Sequence, residues 1–271
     1  MIDEREAASE RSIAGLASPD VARRRAALED LARMPGTLAR SAVPAVVACL
    51  ATPEKRVQRL AADVLRAVAA DLRADVIAGL RAAIASADPE WRFGAAWALG
   101  RLEVVDLAML APLFEALGAR DGDRRWAAAE LLATCARVHA DRVLAALLAA
   151  VEDAVAERRK MALYVLRDVA PASPAARDAT TRALADPDVG VRFAALAALV
   201  RLEPVPPEAC ALVLARARTD PDAGLRRAAL TTLGEIGRGV GEVECEVASA
   251  ESSDDPAMRR AAAIARRRLG T

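Results

Sequence analysis

The chain repeats the segment Asp186-Pro-Asp-Val-Gly-Val-Arg192-Phe-Ala-Ala-Leu-Ala-Ala-Leu199 with small changes. The copy at Asp220–Leu233 reads Asp-Pro-Asp-Ala-Gly-Leu-Arg-Arg-Ala-Ala-Leu-Thr-Thr-Leu, and the copy at Ser18–Leu31 reads Ser-Pro-Asp-Val-Ala-Arg-Arg-Arg-Ala-Ala-Leu-Glu-Asp-Leu. A fixed period of roughly 20 to 50 residues is the sequence signature of a repeat architecture. The sequence therefore predicts a fold built from stacked copies of one small unit.

The central arginine of each copy, which we call the mark, gives the register of the whole chain. Marks recur every 33 or 34 residues, with glutamine in one unit: Arg24, Gln58, Arg92, Arg125, Arg159, Arg192, Arg226 and Arg259. A leucine stands seven positions after the mark in seven units: Leu31, Leu65, Leu99, Leu132, Leu166, Leu199 and Leu233. The eighth unit has Arg266 at that position. About eight repeats therefore fill the chain.

Each unit has the pattern of two helices. A Ser, Thr or Asp that precedes a proline predicts a helix N-cap in six units: Ser18, Thr52, Asp88, Asp186, Asp220 and Asp255. Apolar residues then recur with helical spacing, and a second amphipathic segment such as Ala74–Ala85 fills the rest of the period. No segment alternates with period two over strand length. The predicted fold is all-α, a right-handed α-α superhelix (α-solenoid) of about eight helical pairs.

We expect a single solenoid over residues 1–271. Its predicted units are roughly 3–35, 36–70, 71–103, 104–138, 139–171, 172–204, 205–237 and 238–271. Stacked repeats need polar end units, and the charged segment Glu4–Leu16 and the run Arg266–Arg268 are typical of such caps. The stretch Gly234–Gly241 is predicted to be a glycine-rich turn.

Composition limits the function classes. Lys plus Arg and Asp plus Glu are both 38, so the chain lacks the basic excess that drives binding to nucleic acids. Four well-separated cysteines, expected to be buried, give no disulfide or zinc spacing: Cys49, Cys135, Cys210 and Cys245. The acidic start is unlike a signal peptide, and the longest apolar run, Val143–Val151, is too short to span a bilayer. We expect a cytoplasmic protein, and the preference for Arg over Lys favours a GC-rich bacterial genome.

The string Asp88-Pro-Glu-Trp-Arg-Phe-Gly-Ala-Ala-Trp-Ala-Leu-Gly100, with Asp186–Leu199 and Asp220–Gly234, resembles the HEAT-like repeat of the phycobiliprotein (PBS) lyase type. The resemblance covers essentially the whole chain and implies an armadillo-like solenoid of HEAT pairs. That family includes scaffolds, adaptors, chaperone-like lyases, DNA glycosylases and an iron-dependent hydroxylase. The hydroxylase needs several His–Glu pairs, and this chain has one histidine, His139. The hydroxylase is therefore excluded.

A candidate binding face follows from the register. In such repeats the second helix lines the concave face, and the positions one and five after the mark are i and i+4 neighbours. In the middle units these positions hold large or charged residues, which we predict to bind a partner: Phe93, Trp97, Trp126, Glu130, Lys160, Tyr164 and Phe193. This composition is typical of binding hot spots. The alternative is that the aromatic side chains fill the inner curvature of the solenoid.

Other residues have structural interpretations. The mark arginine is expected to join neighbouring repeats by bonding turn carboxylates such as Asp188 or Asp222. A second arginine set falls near helix carboxyl ends and could form a basic ridge: Arg33, Arg66, Arg101, Arg167 and Arg201. Trp91 is expected in the core, and His139 at a helix start as a capping or surface residue.

The predicted function is a non-catalytic scaffold or adaptor that binds a protein or peptide. No catalytic set, cofactor or metal site is predicted, and nucleic acid and membrane are disfavoured as partners. The first alternative is a chaperone-like lyase or maturation factor resembling the phycobilin lyases. The second is a HEAT-like DNA glycosylase, for which Trp126 and Glu130, one helical turn apart, are the candidate residues. The oligomeric state is left open.

Overall fold

The computed structural model describes residues 12–270. The chain divides into two compact units, with the division between Ala116 and Leu117. Unit 1 contains the helices α1 (residues 12–16), α2 (Val21–Ala32), α3 (Val43–Ala48), α4 (Lys55–Arg66), α5 (Arg73–Ile84), α6 (Pro89–Arg101) and α7 (Leu110–Ala116). Unit 2 contains α8 (Gly122–Ala136), α9 (Ala140–Val151), α10 (Ala156–Val169), α11 (Pro174–Ala183), α12 (Val189–Leu199), α13 (Pro207–Thr219), α14 (Ala223–Ile236), α15 (Gly241–Glu251) and α16 (Pro256–Leu269).

The all-α prediction is confirmed, since the described residues form sixteen α-helices and no strand. In sequence order the odd-numbered helix of each pair is the first helix and the even-numbered one, which carries the mark, is the second. The segments predicted at Glu4–Arg11 and at the acidic N-terminus lie outside the described residues. That residues 1–271 form one continuous array stays a prediction.

Helices stack in two layers within each unit. In unit 1 the second helices α2, α4 and α6 pack side by side, and the first helices α3 and α5 form the other layer. In unit 2 the second helices α8, α10, α12, α14 and α16 follow one another in the same way. The leucines seven positions after the mark are buried between the layers, with exposed fractions of 3% or less. In the last pair Arg266 instead makes an ion pair with Glu251 at 2.6 Å.

The mark side chain closes the loop that precedes its own helix. In all eight pairs it donates a hydrogen bond to the carbonyl oxygen six residues earlier: Ser18, Thr52, Ser86, Ala119, Asp153, Asp186, Asp220 and Ser253. We call this position the loop position. Its Ser, Thr or Asp side chain accepts the N–H two residues later in seven pairs, and Ala119 is the exception. The loop is therefore held from both sides by one repeated pattern.

The predicted N-caps are right in two pairs and wrong in four. Asp88 and Asp255 cap α6 and α16 as expected, with proline at the first helical position. Ser18, Thr52, Asp186 and Asp220 instead occupy the loop position, and the caps lie two residues later at Asp20, Glu54, Asp188 and Asp222. The physical reason is that in these four pairs the residue before the proline holds the loop position and bonds the N–H two residues later, so the proline lies in the turn. At Asp88 and Asp255 a serine two residues earlier holds the loop position, so the proline falls inside the helix.

Two glycines permit close contact between helices. A Cβ on Gly94 of α6 would lie 2.5 Å from the carbonyl oxygen of Leu50, and one on Gly234 of α14 would lie 2.6 Å from the Cα of Ala265 in α16. The prediction that Gly234 begins a turn is therefore wrong, because α14 continues to Ile236.

The cysteines differ in burial. Cys49 and Cys135 are buried, and burial raises the pKa of both thiols. Cys245 is exposed, which contradicts the prediction of a buried side chain, because it lies on the outer side of α15 between the buried Val243 and Val247. Among residues 12–270 no helix is long and apolar enough to cross a membrane.

Candidate functional site

The predicted site residues differ widely in exposure. Trp126 is 51% exposed, the largest value for any aromatic residue in the described chain, and Glu130 is also exposed. Four others are partly buried: Trp97, Lys160, Tyr164 and Phe193. Phe93 is only 6% exposed.

Phe93 is therefore buried, which corrects its placement on an exposed binding face. The neighbouring Gly94 lets α6 lie against the backbone of Leu50. Trp91, expected in the core, is partly buried, and its indole N–H donates to the carbonyl oxygen of Val47 at 3.2 Å.

Trp97 in unit 1 carries a cation on its ring. The guanidinium carbon of Arg101 lies 5.9 Å from the centre of the Trp97 ring. Arg101 also bonds Asp63 of α4 at 3.1 Å. The Trp97 face is thus already occupied by a residue of its own helix.

Trp126 and Tyr164 form the aromatic pair of unit 2. They lie on the adjacent helices α8 and α10, with ring centres 5.5 Å apart and ring planes tilted by 30°. The guanidinium carbon of Arg167 lies 5.3 Å from the centre of the Tyr164 ring. Arg167 is bonded to Asp168 at 2.8 and 3.0 Å, which raises the pKa of the arginine. These residues form one connected cluster of rings and charges.

A small cleft of about 120 Å³ lies at this pair. Trp126 and Tyr164 supply its aromatic surface, Ala129, Ala133 and Val165 its small apolar surface, and Glu130 and Asp168 its carboxylates. Sequence reasoning named the rings and Glu130 but missed the other four residues. Ala129 and Ala133 are three and seven positions after Trp126, on the same helical stripe, so the signal was small residues beside an exposed ring.

Glu130 supplies the exposed carboxylate of the cleft. Its main-chain carbonyl accepts the Thr134 hydroxyl at 3.1 Å. Its carboxylate makes no hydrogen bond or ion pair with another residue in the part of the chain that the structure describes. Glu130 is therefore available to a partner.

Lys160 and Phe193 pack against the next repeat. Both follow the mark directly, and a Cβ on Gly190 or Gly224, near the start of the next second helix, would lie 3.4 or 3.5 Å from their side chains. The Lys160 ammonium bonds Glu157 at 2.7 Å. Part of each side chain is thus used in joining neighbouring repeats, as the curvature-filling alternative expected.

Two marks of unit 2, Arg159 and Arg192, also join repeats, as predicted for the repeated arginine. Arg159 bonds both carboxylate oxygens of Asp186 at 2.7 and 2.8 Å. Arg192 lies 2.8 Å from each carboxylate oxygen of Asp220, and the two side chains are 8% and 0% exposed. Burial alone would raise the pKa of Asp220, but the Arg192 hydrogen bond, the Asp222 N–H and the charges of Arg192 and Arg216 together lower it. The partners are the loop-position aspartates rather than the expected Asp188 and Asp222.

The other candidate residues named from the sequence are His139 and the second arginine set, and metal ligation was also considered. Within residues 12–270 no group of three or more His, Cys, Asp or Glu is placed to hold a metal. His139 precedes α9 at the N-cap position and makes no side-chain cap hydrogen bond. Of the second arginine set, Arg66 and Arg101 end α4 and α6 and Arg167 lies in the last turn of α10, as predicted.

The paired helices, their two-layer stacking within each unit and the leucine buried in seven of the eight pairs define a helical-repeat fold. The sequence profile described as HEAT repeats matches residues 143–234. The PBS-lyase type predicted from the sequence remains a prediction. None of the curated proteins compared with the chain matches it significantly.

Solved structures share the fold. The X-ray structure of YibA from Escherichia coli is similar with a TM-score of 0.59 and 13% identity over 95% of this chain and 92% of YibA. A chain in the structure of Kap95p bound to RanGDP gives a TM-score of 0.64 and 14% identity, covering 97% of this chain and 41% of that one. A Kap121p mutant gives 0.57 and 10%, with 97% and 37% covered.

Proposed function

We propose that the chain is a non-catalytic scaffold or adaptor of the cytoplasm that binds a protein or peptide on the exposed face of its second helices. The observation that carries the proposal is Trp126, a large aromatic side chain that is 51% exposed beside a cleft. Its neighbours Tyr164 and Arg167 complete a cluster of the three residue types that dominate binding hot spots.

Charge supports a protein partner over a nucleic acid. Acidic and basic residues balance at 38 each, and many arginines are already paired with carboxylates of the chain, such as Arg159, Arg192 and Arg218. Cations held in this way give little of the counterion release that drives nucleic-acid binding. One of the solved structures that share this fold contains Kap95p bound to a protein, RanGDP.

Affinity capture from a cell lysate, followed by titration of the captured protein in purified form, tests the proposal. Trp126→Ala should weaken binding at least about thirtyfold if Trp126 is a hot-spot residue. Val138→Ala is the matched control, because Val138 is 62% exposed but lies outside the cleft. Circular dichroism should show that both variants keep the native helix content.

Equal affinity of the native chain and the Trp126→Ala variant would contradict the proposed site. A tetrapyrrole pigment that co-purifies with the chain would favour the lyase alternative, which no observation in residues 12–270 supports at present. The residues Trp97, Lys160, Tyr164 and Phe193 remain proposed contributors. Phe93, which is only 6% exposed, is left out of the proposal.

A further inference from the structure

We propose that the cleft at Trp126 and Tyr164 binds a single lysine or arginine side chain of the protein partner. This inference rests on the proposed function and specifies the chemistry that the same site would recognise. It is argued from the rings, the charges and the size of the cleft.

The rings attract cations in this position. Aromatic faces carry negative electrostatic potential, and tryptophan is the strongest binder of cations among them. Tyr164 already holds the Arg167 guanidinium at 5.3 Å from its ring centre. Trp126, with half of its surface open, offers the same interaction to a group from outside.

The charges at the cleft are complementary to a cation. The two ionisable side chains that line it besides Tyr164 are the carboxylates of Glu130 and Asp168. Asp168 is half-exposed and bonded to Arg167, so the two charges offset each other. The Glu130 carboxylate makes no ion pair with any residue from 12 to 270 and leaves a net negative charge. An anionic side chain would meet repulsion at Glu130.

The size of the cleft fits one side chain. Its volume is about 120 Å³, somewhat below the roughly 150 Å³ of an engineered cavity that holds benzene. Sites for drug-sized ligands are larger, roughly 300 to 1,000 Å³. Ala129, Ala133 and Val165 offer apolar surface to the methylene stem of a lysine or arginine, while the charged end can reach Glu130. The cleft is therefore suited to one long cationic side chain.

Two-dimensional ¹H–¹⁵N correlation NMR spectra of the ¹⁵N-labelled full chain test the inference directly. The three tryptophans give three indole N–H signals, which Trp→Phe variants assign. The probes are capped heptapeptides Gly-Ser-Gly-X-Gly-Ser-Gly, with X as arginine, lysine, norleucine or glutamate. Arginine and lysine peptides should shift the Trp126 signal with dissociation constants of about a millimolar, while Trp91 and Trp97 serve as internal references. Norleucine and glutamate peptides should leave it in place.

A charge variant separates the carboxylate from the rings. Glu130→Gln should weaken binding of the arginine peptide about two- to fivefold, as expected for an exposed ion pair. Glu208→Gln, the same change on the exposed start of α13, should leave the affinity unchanged.

Three results would overturn the inference. The first is an equal shift with norleucine, and the second is no shift of Trp126 with any peptide. The third is a stronger shift with duplex DNA that contains N7-methylguanine, which would point to the glycosylase alternative. If the partner from the lysate still requires Trp126 while the peptides show no preference for a cation, the scaffold function stands and only the cation specificity fails.

Discussion

Unit 1 and unit 2 use the same loop in two different ways. In unit 1 the loop position is Ser18, Thr52 or Ser86, and each hydroxyl accepts one N–H of its own turn. In unit 2 it is aspartate in three of five pairs. Asp186 and Asp220 accept the N–H of their own turn and also bond the mark of the preceding repeat.

The difference shows what a carboxylate adds to a hydroxyl at this position. A hydroxyl can close its own loop, but only a carboxylate can also neutralise the arginine of the neighbour. Unit 2 thus has two polar links between repeats in addition to its apolar core, a partly buried one at Asp186 and a fully buried one at Asp220. The match to the HEAT-repeat profile, residues 143–234, lies in this more regular unit. In unit 1 the first helices α3, α5 and α7 are each preceded by a short 3₁₀ turn, Arg40–Ala42, Ala70–Leu72 and Leu107–Met109.

The largest expected effect is at Asp220. Asp220→Ala leaves the Arg192 guanidinium buried without its carboxylate, and the free energy of unfolding should fall by about 3–5 kcal/mol. Ser86→Ala, the same position in unit 1, loses one hydrogen bond of the turn and should cost about 0.5–1.5 kcal/mol. Urea denaturation of the full chain measures both. Equal costs would show that the link between repeats adds nothing.

The apolar cores of the two units should respond alike. Leu99 in unit 1 and Leu199 in unit 2 occupy the same place after the mark, and both are 0% exposed. Replacing either with alanine should lower the free energy of unfolding by about 2–5 kcal/mol, since each substitution leaves a cavity. A melting temperature that either substitution leaves unchanged would refute the register.

Gly234→Ala should be the next largest change. The new Cβ would meet the backbone of Ala265, so α14 and α16 must separate, at a cost of about 1–3 kcal/mol. Gly79→Ala in α5 is the control in unit 1. Its Cβ would lie 3.6 Å from Val47, an ordinary contact, and alanine should stabilise the helix by up to about 1 kcal/mol. The expected result is that the denaturation midpoint falls for Gly234→Ala and rises for Gly79→Ala, each relative to the native chain.

The pH dependence should change least. The folded-state pKa of Asp220 is below its usual value, so its contribution is complete above the unfolded pKa of about 3.9. It is lost as the pH falls through the folded pKa. The difference in free energy of unfolding between the native chain and Asp220→Asn should therefore shrink from pH 7 to pH 3. A constant difference would mean that the charge of Asp220 does not stabilise the fold.

The helices and their core were predictable because each depends on a repeated apolar pattern. The marks predicted the repeat period, and the leucines after them are buried where expected. The N-cap error at Asp186 and Asp220 arose because an Asp-Pro pair fits both a cap and a turn. The burial of Phe93 could not be read from the repeat pattern, because Trp126 and Phe193 hold the same position after the mark and are more exposed. The pairing of Arg167 with Asp168, which sets the charge of the cleft, is a local choice among several neighbouring charges.

The bond from each mark to its own loop has a consequence for how such a chain can lengthen. Donor and acceptor lie six residues apart, so every segment of 33 or 34 residues carries its own closure. A tandem duplication of the gene segment would therefore add a repeat whose loop is already held by the mark of the same repeat. The carboxylate link reaches into the following copy, so it would form at the new junction only where that copy also begins with aspartate.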